Sequence, residues 1–242
     1  MGFPKFSNDC EFVVLLHTNE ILDNLGSRTD DHENYFTARM LLLLEGHCLY
    51  RQSVFDDITT KIVISYFKDY PDHQHTFQPM FLLNDICRFW KTLLLNYENK
   101  RNVPVGANEE RKTKQKVRNF KLKYSRMTTC FASIAALGSY LAPVTEQQII
   151  DVTRLTPLQR LQSIPERIPS AAGPVREILD RYDWFLTMTG LPTPELEGHF
   201  SDKQKRTEMF QRANEYGDSM FKLLQAIDAT DTQLRLLRNV VI

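Results

Sequence analysis

The chain has 242 residues, of which 42% are hydrophobic and 25% are charged; this composition excludes an intrinsically disordered protein and allows a sizeable core. Because 30 Lys and Arg residues balance 30 Asp and Glu residues, the formal net charge is zero and no global field gathers polyanions. Any binding of nucleic acid therefore requires a local basic patch.

The cysteines and the apolar stretches indicate the compartment. Cys10, Cys48, Cys87 and Cys130 lie far apart and form no C-x-x-C pair, which is typical of reduced thiols in a cytosolic protein. The longest apolar stretches, "FVVLLH" and "FASIAALGSYLAPV", are shorter than the roughly 20 residues that cross a bilayer. No signal-peptide pattern opens the sequence. We expect a cytoplasmic protein with no membrane partner.

The first 30 residues predict a strand and a turn. "CEFVVLLHT" is a short β-branched and apolar run, the one credible strand in the chain. This strand either joins a sheet outside this chain or lies extended on the helices. Thr18 is the predicted N-cap of a short helix that ends at Gly26, and "SRTDDHE" is the predicted turn after it. Residues 1–30 thus form an N-terminal segment distinct from a helical domain over 31–242.

Helical periodicity governs the rest of the chain. Apolar positions predict a helix that ends at Gly46, a helix opening at Asp56, and a central, strongly apolar helix over 80–100. A long helix is predicted over 111–141. A capping box of Thr145 with Gln148 predicts one short helix, and Thr156 followed by Pro157, the N-cap and N1 arrangement, predicts another. Three further prolines predict a connector around 156–175. "LPTPELEGHF" reads as irregular, and Ser201 as the cap of the last long helix. The fold class is mainly α, a bundle of roughly eight to ten helices.

A basic stretch over residues 111–126 is the first candidate site. "RKTKQKVRNFKLKYSR" contains eight basic residues and no acid. Helical spacing predicts one stripe of Asn119, Lys123 and Arg126 and another of Arg118, Lys121 and Ser125. The candidate phosphate-binding or partner-binding residues are Arg118, Asn119, Lys121, Lys123 and Arg126. Lys and Arg supply the point charges and forks that bind phosphate oxygens. RNA or a nucleotide is therefore a candidate ligand, and a solvated helix face remains the alternative.

The same stretch resembles the R-N-x(4–6)-H motif of HEPN ribonucleases. Arg118 and Asn119 match the motif, but Lys123, Tyr124 and Ser125 stand where the histidine belongs. The chain then lacks the general acid or base that such a ribonuclease uses. A degenerate HEPN-like RNA-binding protein or ribonuclease remains an alternative function.

A polar stripe on the apolar helix is the second candidate site. Asn84, Arg88, Thr92 and Asn96 recur at helical spacing, and Asp85 lies beside them. We predict a polar network of Asn84, Asp85 and Arg88 that fixes two helices in register, or one that faces a ligand or partner through Arg88. Within it, Asp85 and Arg88 either pair with each other at i, i+3 or reach Arg118 and Asn119 on the basic helix.

The sequence gives no candidate metal, cofactor or catalytic residue. His73 and His75 in "DHQH" have no third ligand in register. Ser27 is followed too closely by Asp30 for the metal-binding acids of a nucleotidyltransferase. No nucleophile elbow or phosphate-binding glycine loop is present. We expect no cofactor and no independent enzymatic activity.

Three segments together carry a resemblance to a protein family. "FTARMLLLLE", "NDICRFWKT" and "RNFKLKYSR" occur in the order of the motifs F-x-x-R-x-L-L-L-L-E, N-D-[IV]-x-R-[FY]-W-[RK]-T and R-N-x-K-L-[KR]-x-S-R. The chain thus resembles, over roughly residues 10–140, the helical C-terminal region of bacterial nucleotidyltransferase-domain proteins. The catalytic acids of that polymerase-β-like fold are not matched.

The resemblance implies a binding partner. It points to a non-catalytic interaction or regulatory module that works with a protein partner or as a homo-oligomer, as in toxin–antitoxin or phage-defence pairs. A truncated nucleotidyltransferase whose catalytic half lies upstream is the enzymatic alternative.

Overall fold

The computed structural model describes residues 15–101, 109–230 and 236–240, and these residues are mainly helical. The first helices are α1 (Thr18–Asp23), α2 (Arg28–His32), α3 (Tyr35–Glu45), α4 (Gln52–Ser65), α5 (Met80–Arg101), α6 (Glu109–Lys121) and α7 (Met127–Gly138). They are followed by α8 (Glu146–Arg154), α9 (Pro157–Gln162), α10 (Ile164–Arg167), α11 (Ala172–Thr189), α12 (Thr193–Ser201), α13 (Lys203–Asp228) and α14 (Leu236–Asn239). The described segments outnumber the eight to ten predicted helices because several have only one or two turns.

The structure differs from the strand, helix cap and turn that were predicted near the N-terminus. Most of the predicted strand lies outside the described residues, and the described part, residues 15–17, has no regular structure. His17, not Thr18, caps α1, since its Nδ1 accepts a hydrogen bond from the Asn19 N–H at 3.3 Å. The predicted turn is the helix α2, because the Ser27 hydroxyl accepts from the Asp30 N–H. α1 ends at Asp23 with Asn24 as its C-cap, before the predicted end at Gly26, and Gly26 has φ +79° in the turn between α1 and α2.

Three helix boundaries differ from the prediction. α4 begins at Gln52, and Asp56 lies inside it, where it accepts a hydrogen bond from the Gln52 amide. The stretch predicted as irregular forms α12, because Leu196 and Phe200 are four residues apart and both are buried. The last long helix is capped by Asp202, which accepts from the Lys205 N–H. The predicted capping box at Thr145 and the predicted N-cap at Thr156 are confirmed, and Thr156 also forms a capping box with Gln159.

The core is centred on α7. Every residue from 128 to 137 is buried, and α7 contacts α3, α5, α8, α9 and α13. The apolar helix α5 was predicted to be central. Its first half is buried against α7, whereas Leu95 in its second half is 69% exposed. Residues 156–175, predicted as a connector, contain α9, α10 and the start of α11.

The long helix predicted over 111–141 runs as α6, a π-helical segment over Leu122–Arg126, and α7. Tyr124 lies in the π segment and is fully buried. Its ring stacks at 4.6 Å on Phe185 of α11 and at 4.5 Å on Tyr216 of α13. The wider turn therefore places one aromatic side chain between two neighbouring helices.

Candidate functional site

A shallow groove of about 350 Å³ lies between α6 and α13. It is lined by Tyr97, Lys112, Gln115, Lys116, Asn119, Arg206 and Phe210. Three of these lining residues are basic, two are aromatic and two carry amides, while none is acidic. The groove is thus a concave, positively charged surface with both hydrogen-bonding and stacking groups.

Helical spacing explains the wall that α6 contributes. Lys112, Lys116 and Asn119 are separated by four and three residues, so they share one face of the helix. Phe120 is fully buried and packs on Phe185 at 5.5 Å, which fixes the rotation of α6. The polar face is therefore held at the flank of the helix, beside α13.

The wall from α13 has the same kind of spacing. Arg206, Phe210 and Asn214 follow one another at intervals of four residues and face α6. Lys123 extends the groove, because its ammonium donates to Asn214 Oδ1 at 2.8 Å and lies 6.0 Å from the centroid of the Phe210 ring. Basic groups thus line this side of the molecule from Lys112 in α6 to Lys123 in the π segment.

Glu109, in the first turn of α6, lies close enough to the groove for the groove cations to act on its carboxylate. Its carboxylate accepts a hydrogen bond from Lys112 at 2.7 Å. The pKa of Glu109 is lowered, first by this bond and the charge of Lys112 and then by the charges of Lys116 and Arg206. Several cations therefore act on one point at this end of the groove.

The five binding residues predicted on the basic stretch lie in three environments. Asn119 lines the groove and Lys123 extends it. Arg118 and Lys121 are exposed and do not line the groove. Arg126 forms an ion pair with Glu45 of α3. The predicted stripe of Asn119, Lys123 and Arg126 is divided because the π segment, with its i→i+5 hydrogen bonds, changes the helical register after Lys121.

Some groove residues were missed by the sequence. Arg206 and Phe210 lie on α13, roughly 90 positions after the basic stretch. Their signal was the four-residue spacing of Arg206, Phe210 and Asn214, but the sequence does not indicate which helix this face meets. Lys112 and Lys116 were counted in the basic stretch but were not singled out as site residues.

A buried ionic network forms a second polar feature, next to α1 and α2. Arg39 has no exposed surface, and its Nη2 lies 2.5 Å from Asp30 Oδ2. Its Nη1 donates to the Ile21 carbonyl at 2.7 Å and its Nε donates to the Tyr66 hydroxyl at 3.4 Å. Burial is the largest single influence on the pKa of Arg39 and lowers it. The hydrogen bonds and charges of Asp30 and Tyr66 together outweigh burial, so the pKa is raised. Arg39 thus joins α3 to α1, α2 and α4.

Asp85 and Arg88 continue this network on α5. The Tyr66 hydroxyl donates to Asp85 Oδ2 at 2.8 Å, and Asp85 Oδ1 lies 3.3 Å from Arg88 Nη2. Arg88 also reaches Asp31 at 3.4 Å and lies over the Phe36 ring, 3.6 Å from its centroid. The pair between Asp85 and Arg88 that the sequence predicted is present.

Asn84 points elsewhere. Its amide donates to the Met80 carbonyl at 3.0 Å and to the Asn239 carbonyl of α14 at 3.2 Å. Among the described residues, Asp85 and Arg88 contact α2 and the C-cap of α4 rather than Arg118 or Asn119. The signal that sequence reasoning missed was Arg39, a charge within the apolar run "FTARMLLLLE" that requires a buried partner.

A cleft of about 730 Å³ lies where the end of α3 meets α4, α8 and α9. Arg160 forms part of its wall and is 1% exposed. Its guanidinium donates to the Ser133 hydroxyl and to the carbonyls of Val152, Thr153 and Leu43. Burial lowers the pKa of Arg160 to about 10. This arginine binds the last carbonyls of α8, so its contacts are those of a helix cap.

Residues 15–101, 109–230 and 236–240 contain no group of three or more metal-ligating side chains. His73 and His75 are exposed in the loop between α4 and α5. No helix in these three described ranges has both the length and the apolar character that crossing a bilayer demands.

Comparison with known proteins adds no further constraint. No family model, no curated protein and no solved structure matches the chain. The function of this chain is therefore inferred from its own geometry.

Proposed function

We propose that this protein is a non-catalytic binding module that holds the phosphate backbone of a nucleic acid, RNA in the first instance, in the groove between α6 and α13. The observation that carries the proposal is a groove lined by Lys112, Lys116 and Arg206 and by no acidic residue, in a chain whose net charge is zero. Positive charge has been concentrated locally, which is what binding a polyanion requires.

The contacts of these cations support binding rather than internal pairing. Among the described residues, Lys112 pairs only with Glu109, and an ion pair this exposed contributes little because solvent screens it. Arg206 donates to the neutral Phe200 carbonyl, and its charge acts on the same exposed Glu109 carboxylate. A phosphate entering the groove would therefore meet cations that are already positioned.

We also propose that the module acts beside a nucleotidyltransferase partner, in line with the sequence resemblance. Residues of its first two motifs, Phe36, Arg39, Asp85 and Arg88, converge in the ionic network. Residues of the third motif, Asn119 and Lys123, lie along the groove. The same motifs would then serve a stable scaffold and a binding surface.

The test is fluorescence anisotropy with a short labelled oligouridylate, measured over a range of salt concentrations. The double variant Lys116→Ala/Lys123→Ala removes two groove charges. We expect its affinity to fall at least tenfold and the slope of log K against log[salt] to become shallower by about 1.4, at about 0.7 per phosphate contact on a single strand.

The matched control is Arg118→Ala/Lys121→Ala, which removes two exposed charges of α6 outside the groove. We expect this variant to keep the wild-type slope. A loss confined to the control variant would contradict the groove and favour the HEPN-like arrangement at Arg118. Oligouridylate binding that neither variant alters would contradict any role of α6. An acidic peptide that displaces the strand and binds more tightly would favour a protein partner instead.

A further inference from the structure

Phe210 is an aromatic side chain on the lining of an otherwise polar groove. Its ring is half-buried and is held edge-on by Phe200, at a centroid distance of 5.8 Å and an interplanar angle of 73°. Lys123 lies 6.0 Å from the ring centroid, the outer limit of a cation–π contact, so the ammonium does not close over the ring. Phosphate binding alone gives no reason for a partly exposed ring at this place.

Amide side chains lie on the same surface. Gln115 and Asn119 line the groove on the α6 side, and each amide carries both a donor and an acceptor. Unpaired bases offer such groups on their edges, whereas phosphates offer only acceptors. Stacking and amide contacts therefore fit a base better than they fit a bare phosphate.

The groove also has the dimensions of a strand. From Lys112 to Lys123 the helix rises about 16 Å, at about 1.5 Å per residue. The bases of a duplex are stacked on one another and paired, so their faces cannot reach a ring inside a groove of about 350 Å³. A single strand can place its phosphates along α6 and turn a base towards α13.

From these contacts we infer that the groove binds single-stranded nucleic acid specifically, with an unpaired base stacked on Phe210 and the flanking phosphates held by Lys116 and Lys123. This inference rests on the proposed function, because it names the form of nucleic acid that the same groove takes. Stacking on one aromatic residue is tolerant of base identity, so the groove discriminates strand form rather than sequence.

The experiment compares three labelled probes of equal length: an oligouridylate, a strand of the same sugars and phosphates without bases, and a duplex. They are tested with the wild type, Phe210→Leu and Phe210→Tyr. We expect the wild type to bind the oligouridylate roughly 5- to 100-fold more tightly than the base-free strand, the range that stacking of one base provides.

Phe210→Leu is expected to weaken oligouridylate binding by a similar factor and to leave binding of the base-free strand unchanged. Phe210→Tyr keeps the ring and should restore binding. The slope against salt should be the same for all three proteins, since no phosphate contact is lost. Thermal melting confirms that each variant is folded, and equal melting temperatures of the two variants make the comparison direct.

The failures of the two proposals are distinguishable. If the base-free strand and the oligouridylate bind equally and Phe210→Leu has no effect, stacking is overturned, while sensitivity to Lys116→Ala/Lys123→Ala would still support the phosphate groove. Duplex binding as tight as that of the single strand also overturns the inference. If no probe binds in a salt-dependent way, both proposals are overturned.

Discussion

Arg39 and Arg160 have almost no exposed surface, and each is stabilised in a different way. Arg39 has a carboxylate, Asp30, as its counter-ion. Arg160 has carbonyl and hydroxyl acceptors among the described residues, and burial lowers its pKa to about 10. A buried charge is tolerated only when its hydrogen bonds are made, so both side chains constrain the helices that supply the acceptors.

Replacing Arg160 should therefore destabilise the fold. Arg160→Leu leaves the carbonyls of Val152 and Leu43 without this donor in the interior, and we expect the free energy of unfolding to fall by roughly 3 kcal/mol, at about 1–3 kcal/mol for each unsatisfied group. Urea denaturation measures the change. Arg154→Leu is the control, because Arg154 is half-exposed and its pairs lie on the surface; its effect should stay within about 1 kcal/mol. Equal effects would contradict the capping role.

Asp85 gives the ionic network a dependence on pH. Burial raises the pKa of its carboxyl, against the hydrogen bond from Tyr66 and the charges of Arg88 and Arg39. Because the folded-state pKa lies above the unfolded-state value of about 3.9, the native state holds the proton more tightly. The contribution of Asp85 to the free energy of unfolding is then greatest below about pH 3.9 and declines as the pH rises through the folded-state pKa.

The variant Asp85→Asn tests this sign. Asparagine still accepts a hydrogen bond from Tyr66 but does not titrate. We expect the stability of the variant relative to the wild type to increase as the pH is raised from about 4 to 7. Urea denaturation at both pH values measures the difference. A relative stability that decreases over this interval would mean that the two arginines, rather than burial, dominate the site.

At the scale of elements, the close approach of α7 and α14 depends on a glycine. A Cβ atom added to Gly138 would lie 2.7 Å from Leu236 Cδ2, and Leu236 is buried. Gly173 is exposed in the first turn of α11. A Cβ atom added there would have no heavy atom within 4 Å, apart from its chain neighbours and the nearby backbone of its own helix. The two glycines therefore provide a matched pair.

We expect Gly138→Ala to displace α14 from α7. The amides of α14 should then exchange faster with solvent, because their protection depends on this packing. Gly173→Ala should leave that exchange unchanged and raise the melting temperature slightly, since alanine favours a helix. Hydrogen exchange followed by mass spectrometry measures both. Unchanged protection of α14 in Gly138→Ala would contradict the contact.

Contacts between residues close together in the sequence could be predicted, whereas contacts between residues far apart in the sequence could not. The capping box of Thr145 and Gln148 involves residues three apart, and it was predicted correctly. The bond from Arg39 to Tyr66 joins residues 27 apart, and neither partner was chosen from the sequence. α12 was missed because its prolines and glycine suggested a loop, whereas the burial of Leu196 and Phe200 decides for a helix. Tertiary packing overrode the local signal in both cases.

The groove shows the same limit for the candidate site. The basic wall was visible as an excess of charge over residues 111–126, but Lys114 and Arg126 are paired and Arg118 and Lys121 are exposed outside the groove. Glu109 and Glu110 neutralise Lys112 and Lys114 in part, and the π segment turns Arg126 towards Glu45. Which cations face a concave surface depends on how α6 rotates against α13, and that rotation is set by the buried ring of Phe120.

At the scale of the whole molecule, the net charge is zero, so a nucleic-acid strand should bind only where positive charge is concentrated locally. A labelled oligouridylate carrying the photoreactive base 4-thiouridine would be cross-linked to the wild-type protein at about 100 mM salt, where weak surface binding is reduced. Mass spectrometry would then identify the attached peptides. We expect them to come from α6 and from the part of α13 that contains Phe210. Cross-links confined to the cleft beside α3, α4 and α8, or to the exposed face of Arg118 and Lys121, would contradict the groove as the binding site.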